Sequence, residues 1–256
     1  MKNQTSEDQT SENQARENYA HVAAHLGEIR ARIAAQDGPG RANQVALIAV
    51  SKTHPAEAIA PLIGVGQKVF GENRVQEAQA KWPRLREAYA GIELHLVGQL
   101  QSNKAEDAVA LFDCIHSLDR SSLVTALARA MDKVGRQVPC FVQVNIGAEE
   151  QKGGCAIADL PGLLAQARGA AIPLAGLMCV PPADLEPAPF FALLDKLAED
   201  HGLAGRSMGM SGDFETAIML GATHVRVGSA LFGARGVSSE TASEQMAVRA
   251  GEGPKS

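Results

Sequence analysis

The chain has no cluster of Lys or Arg side chains, and its net charge of −5 is small for 256 residues. That argues against nucleic acid and anionic membrane as partners, since both are recognised through dense positive charge. No apolar run reaches the length that a membrane-spanning helix needs. The first residues, Met1-Lys-Asn-Gln-Thr-Ser-Glu-Asp8, lack the apolar segment of a secretory signal, so a cytoplasmic protein is expected. The four cysteines, Cys114, Cys140, Cys155 and Cys179, show no Cys-x-x-Cys pair or other close ligand spacing. Three fall in apolar runs, where reduced Cys acts as a small hydrophobe, and Cys155, beside Gly153-Gly154, is expected at the surface. No metal site and no His/Cys ligand cluster is anticipated.

What is present is a repeating pattern. Short β-rich runs occur at 45–51, 68–71, 93–98, 114–118, 140–146, 174–180, 207–210 and 224–228. Helical spacing separates them at 55–65, 74–89, 103–111, 121–134, 160–170, 187–201 and 214–220. Alternating strand and helix predicts parallel strands joined by crossover helices, and eight such runs fit a single (β/α)8 TIM barrel. The first, fifth, sixth and eighth runs read as apolar on both faces, as in helix-covered strands. An open doubly wound sheet is the alternative, but the first run ends in Ser51-Lys-Thr-His-Pro55, without that fold's glycine fingerprint. An extra amphipathic helix is predicted over 16–35, packing on the barrel. Polar composition predicts disorder at 1–16 and a flexible tail at 236–256, with the barrel domain at 17–235.

Barrels carry their chemistry where strands give way to the following loops. Those positions are Lys52, Glu72, Asn73, Gln99, Ser117, Asp119, Asn145, Met178, Ser211, Gly228 and Ser229. Lys52 stands out. An amine at the tip of an apolar strand is expected in apolar surroundings, which favour the free amine, a nucleophile for carbonyl carbons. With no carboxylate pair among its neighbours, metal-free carbonyl chemistry fits this ring of neutral groups best. Ser207-Met-Gly-Met-Ser-Gly-Asp213 and Arg226-Val-Gly-Ser-Ala230 follow the last two runs, where barrels commonly bind phosphate. Asp213 is expected to cap the following helix. A Schiff-base lysine facing a phosphate site describes a phosphorylated aldehyde, of which pyridoxal 5′-phosphate is the commonest cofactor. A cofactor-free sugar-phosphate aldolase is a rival reading. His54, His95 and His116 read as structural, Lys104 and Lys152 as solvated, and the mixed charges from Arg74 to Lys81 as a solvent face.

Val50-Ser-Lys-Thr53, Phe70-Gly-Glu-Asn-Arg-Val-Gln-Glu77 and His95-Leu-Val-Gly-Gln-Leu-Gln-Ser-Asn-Lys104 recur as a set with Val144-Asn-Ile146 and Gly176-Leu-Met178. With Ser207-Met-Gly-Met-Ser-Gly-Asp213 and Val225-Arg-Val-Gly-Ser-Ala-Leu-Phe-Gly233, the set resembles the YggS/PROSC family of pyridoxal phosphate homeostasis proteins, from about Tyr19 to Arg235. The resemblance implies a barrel of the alanine racemase N-terminal type with Lys52 as the Schiff-base partner of pyridoxal 5′-phosphate. It implies that Ser211, Gly228 and Ser229 hold the phosphate, that Asn73 lies beside the cofactor and that Met208 and Met178 pack near it. Arg226 would face the pyridine nitrogen. Ser229 stands where the family commonly has Thr, which keeps the hydroxyl, and Gly212 replaces a residue that is often acidic or polar.

A guanidinium at the pyridine nitrogen opposes its protonation and weakens the ring as an electron sink. Racemases built this way use a second base, a tyrosine from another domain of the partner subunit. The chain is expected to lack that domain, and Tyr19 and Tyr89 fall on predicted helices. A non-catalytic protein of pyridoxal phosphate homeostasis is therefore expected, buffering the cofactor or delivering it to apo-enzymes, and itself a monomer. A racemase of weak or specialised activity is the alternative.

Overall fold

A computed structural model describes residues 21–36 and 45–232. The expected tails and the ends of the 17–235 barrel domain fall outside the described residues. Eight strands pair in chain order, all parallel, and the last closes on the first. They are β1 (Ala46–Val50), β2 (Val69–Glu72), β3 (Glu93–Leu96), β4 (Cys114–Leu118), β5 (Cys140–Gln143), β6 (Leu174–Met178), β7 (Gly205–Ser207) and β8 (His224–Val227). Helix α1 covers residues 21–36. The others are α2 (Ala56–Gly64), α3 (Val75–Ala88), α4 (Ala105–Leu111), α5 (Ser121–Val134), α6 (Leu160–Gly169), α7 (Ala188–Asp200), α8 (Phe214–Met219) and α9 (Ser229–Phe232).

A strand sends alternate side chains to opposite faces. Leu47, Ala49, Phe70, Leu94, Leu96, Ile115, Val142, Leu177, Val225 and Val227 are buried in the main apolar cluster with the helices. Each fully buried side chain of this kind contributes about 1.5–3 kcal/mol. Helix α1 adds Leu26, Ile29 and Ile33 to the same core and is clamped by an Arg32–Glu215 ion pair at 2.8 Å, as an amphipathic helix should be.

The inward face differs from expectation. Barrel interiors are usually filled by branched aliphatic side chains. Here His95, His116, Gln143, Ser207 and Arg226 are buried, with Cys114, Phe141 and Met178 packed among them as a separate small cluster. The fifth and eighth runs are thus apolar on one face only. The seventh strand is also displaced from 207–210 to Gly205–Ser207. The chain leaves the sheet at Gly209, where φ is +90° and a Cβ would lie 2.6 Å from that of Ala217. Only glycine fits there.

Candidate functional site

Lys52 follows β1 at the C-terminal mouth, and it is exposed. The buried setting expected for its stem is not seen, and the chain turns directly after Ser51, where His54 N–H donates to Ser51 O at 3.2 Å. That turn is strained. Thr53 has φ +65°, which a β-branched residue rarely adopts, and its hydroxyl donates to Lys52 O at 2.6 Å. Strain of this kind persists where neighbours over-determine it. Here the neighbours come from α3. Thr53 N–H donates to Glu77 Oε1, and Lys81 Nζ donates to Ser51 O at 2.8 Å and His54 O at 2.9 Å.

Lys81 is therefore not on a solvent face. Its side chain is 9% exposed and pairs with Glu72 Oε1 at 2.8 Å and Glu77 Oε1 at 3.1 Å. Glu72 is fully buried on the outer face of β2, where the same oxygen accepts from Ser51 Oγ (2.6 Å) and Trp82 Nε1 (3.0 Å). Glu72 thus faces helix α3, away from the mouth, and anchors the Lys52 loop from behind. The Glu77–Lys81 spacing of four was a visible signal for half of this arrangement. The strand carboxylate that completes it was not.

The remaining mouth residues come together around Lys52. Register pairs Val50 with Gly71 in β2 and Ala49 with Val227 in β8, so Asn73 and Gly228 flank the end of β1. Gly228 N–H reaches Ser211 Oγ at 3.4 Å, which joins the loops after β7 and β8. That contact is long, so the donor is readily given to a better acceptor. Gly98 packs so tightly on Asn73 that a Cβ there would lie 2.3 Å from Asn73 O, which fixes the Asn73 backbone. Lys52 and Ser229 are exposed, and Asn73, Ser211 and Gly228 are half-buried. Arg226 lies one layer below, buried, donating to Ser207 Oγ at 2.6 Å and Cys179 O at 2.8 Å. Burial pushes its guanidinium below the usual value. Met208 and Met178 are buried too, at 0% and 1% exposure, Met208 in the main apolar cluster and Met178 in the small inner one.

Other expected positions lie away from the mouth or are otherwise engaged, and the buried Ser117 hydroxyl has no hydrogen-bond partner among the described residues. Ser117 lies inside β4 and is buried, Gln99 bonds Gln143, and Asp119 pairs with Arg120. Asn145 closes its own loop on Glu149. Asp213 stands at the cap position, but its carboxylate accepts from Met210 N–H instead of the helix amides. Lys104 and Lys152 are half-buried and paired with Asp107 and Glu149. Cys155 is buried, since residues 144 and 155 form a bridge that draws it inside, and burial pushes its thiol up to about 11. Among the described tyrosines, Tyr89 lies at the C-terminal end of α3, away from the mouth.

A His/Cys cluster does exist, against expectation: His95, Cys114 and His116 lie within 4.8 Å of one another. The ring nitrogens are already committed, His95 Nδ1 to His116 Nε2 at 2.9 Å and His95 Nε2 to Glu93 Oε1 at 2.8 Å. His116 Nδ1 meets Ser207 Oγ at 2.9 Å. A metal ion would have to break these bonds next to the Arg226 charge, so the cluster is a hydrogen-bond network, and both histidines are structural.

Burial pushes His116 well below its usual value and takes His224 from the usual 6.5 to about 4. Both are held neutral when folded, so stability is complete above pH 6.5. It falls as the unfolded chain takes up protons that the folded chain refuses, over the window from 6.5 down to about 4. His224 alone accounts for up to about 3 kcal/mol, reduced by its partial exposure. The melting temperature is expected to fall by about 6–12 °C between pH 7 and pH 4. His224→Asn should make that fall shallower and leave the His116 share, as thermal unfolding across the range would show.

Residues 14–236 match the family model of the alanine racemase N-terminal domain. The chain is 39% identical over 232 residues to the pyridoxal phosphate homeostasis protein of Escherichia coli (strain K12), covering 85% of this chain and 98% of that one. Among solved structures, PipY of Synechococcus elongatus PCC7942 with PLP bound is 38% identical with a TM-score of 0.74, over 83% of this chain and all of that one. An alanine racemase of Clostridium difficile 630 shares the fold at 13% identity and a TM-score of 0.65, over 86% of this chain and 58% of that one.

Proposed function

The chain belongs to the alanine racemase N-terminal domain family, and from that premise we propose that it binds pyridoxal 5′-phosphate through Lys52 and serves its homeostasis, buffering or delivering it without turnover. The pyridoxal phosphate homeostasis proteins, at 39% identity along nearly their whole length, support the reading. One observation carries it. An exposed primary amine, a loop pair joined by a long Gly228–Ser211 contact, and a buried donor-only arginine occupy adjacent positions on β1, β7 and β8.

This donor set fits the cofactor. Lys52 supplies the amine for the aldehyde, while Ser211, Ser229 and the Gly228 N–H supply phosphate donors. Asn73 flanks the ring from β2, Met208 supports the β7 loop, and Arg226 supplies N–H groups for the pyridine nitrogen. When bound, the cofactor supplies an aldehyde and an electron-accepting ring. Arg226 limits the second property, because a guanidinium cannot give the nitrogen a proton. The candidate second bases are otherwise held: Tyr89 is at the far end of α3, His54 stacks on Phe232 at 4.2 Å, Asp119 pairs with Arg120, and Asp213 accepts from Met210 N–H. Burial holds His54 below its usual value. One amine with no opposing base free beside it supports holding a cofactor over racemising amino acids. Among the described residues, no helix is long and apolar enough to cross a membrane. The chain is proposed to act in the cytoplasm as a monomer, with apo pyridoxal phosphate enzymes as recipients. The test is transfer of cofactor from the loaded chain to such an apo-enzyme, with amino-acid turnover by the loaded chain as the opposing outcome.

A further inference from the structure

A line of hydrogen bonds crosses the barrel interior from its floor to the arginine beneath the mouth. Arg226 NH1 meets Ser207 Oγ at 2.6 Å, and Ser207 Oγ meets His116 Nδ1 at 2.9 Å. His116 Nε2 meets His95 Nδ1 at 2.9 Å, and His95 Nε2 meets Glu93 Oε1 at 2.8 Å. The four inner members are 0–6% exposed, whereas the Glu93 side chain is 54% exposed. Arg226 itself forms no salt bridge among the described residues, an unusual state for a buried guanidinium.

The ends fix the direction. A guanidinium only donates and a carboxylate only accepts. Ser207 accepts from Arg226, and its single proton goes to His116 Nδ1. His116 then donates from Nε2 to His95 Nδ1, and His95 donates from Nε2 to Glu93. The reverse order would put a second cation at His95, near His224 and Arg226. It would also strand the Ser207 hydroxyl proton, since Ser207 is fully buried and has only these two side-chain partners among the described residues. A buried donor without an acceptor costs about 1–3 kcal/mol.

We propose that Glu93, His95, His116 and Ser207 are positioning residues for Arg226, a one-way chain of neutral groups that orients the guanidinium and links it to an anion at the barrel floor. The chain replaces a direct ion pair. A carboxylate against Arg226 would cancel the charge that faces the mouth, whereas one held three neutral groups away compensates burial and leaves the outward N–H groups free. His116 also stacks on Phe141 at 4.3 Å, which holds its ring plane in line with both partners. Substitution at the floor is therefore felt at the cofactor ring. This last step rests on the reading that Arg226 faces the pyridine nitrogen.

The experiment has two arms. In the protein without ligand, nitrogen NMR of the histidine rings at pH 7 is expected to show both His95 and His116 neutral and protonated on Nε2. A proton on Nδ1 of His116, or a doubly protonated His95, overturns the chain. In the second arm, pyridoxal 5′-phosphate is added to the parent, Ser207→Ala and Ser207→Thr proteins. Ser207→Ala is expected to shift the absorption maximum of the bound cofactor and its pH midpoint, and Ser207→Thr to restore both. A parent-like spectrum from Ser207→Ala with cofactor bound also overturns the proposal. If the parent takes up no cofactor, the functional reading fails instead, and the NMR arm still decides the chain on wild-type protein.

Discussion

Lys52→Ala is expected to give a protein that folds like the parent and is colourless once pyridoxal 5′-phosphate has been added and the unbound cofactor removed. Lys52 is exposed, and no side-chain hydrogen bond or ion pair of its own is present among the described contacts. A surface change of this kind moves stability by about 0.5 kcal/mol or less, so the melting temperature should not shift measurably. Binding is another matter. The carbon–nitrogen bond to the amine disappears, leaving the phosphate donors and Arg226 to hold the cofactor. Affinity is expected to drop by about 100-fold or more, equivalent to about 3 kcal/mol. Borohydride treatment followed by peptide mass analysis should find the reduced cofactor on the peptide containing Lys52 in the parent and on no peptide in the variant. Retained colour and retained label in Lys52→Ala would move the covalent role to another lysine.

Lys81→Met is expected to be the most destabilising single change around the site. The ammonium is the counter-charge for Glu72, which is 0% exposed. Removing one partner of a buried pair leaves the other charge uncompensated, at about 3–5 kcal/mol. In a chain of this size that lowers the melting temperature by about 6–20 °C. The same change frees Ser51 O and His54 O and loosens the strained Thr53 turn that presents Lys52, so cofactor uptake should fall too. Adding Glu72→Gln is expected to recover part of the stability, because the stranded charge is gone, without recovering uptake, because the carbonyls remain unheld. Differential scanning calorimetry and a binding titration on the parent, the single variant and the double variant separate the two effects. A single variant as stable as the parent would show that Glu72 finds another partner.

The barrel was legible because alternating strand and helix patterns have few other solutions, and seven strands lie within a few residues of their apolar runs. The eighth, β7, is misread for a local reason: Ser207-Met-Gly-Met210 looks like a strand, but Gly209 at φ +90° ends the pairing. The mouth residues were legible as loop positions after strands. Which of them face the mouth was not, since Glu72 and Asn73 are consecutive and a strand turns consecutive residues to opposite sides. Lys81 was missed because Glu77 and Lys81 read as an ordinary helical pair until Glu72 on a neighbouring strand is added. The interior network left a fainter trace. Glu93-x-His95, Cys114-x-His116 and His224-x-Arg226 each place polar or sulfur groups two apart, the period of one strand face. Only the closed sheet shows that these faces meet.

The central claim is that the chain holds pyridoxal 5′-phosphate in order to give it up. The direct measurement loads the protein, removes free cofactor, and mixes it with an apo pyridoxal phosphate enzyme while a trap consumes whatever reaches solution. The account predicts that the recipient gains activity in proportion to the loaded chain, that Lys52→Ala donates nothing, and that the loaded chain alone leaves L- and D-amino acids unchanged. A loaded chain that never releases its cofactor, or one that racemises amino acids, would contradict it.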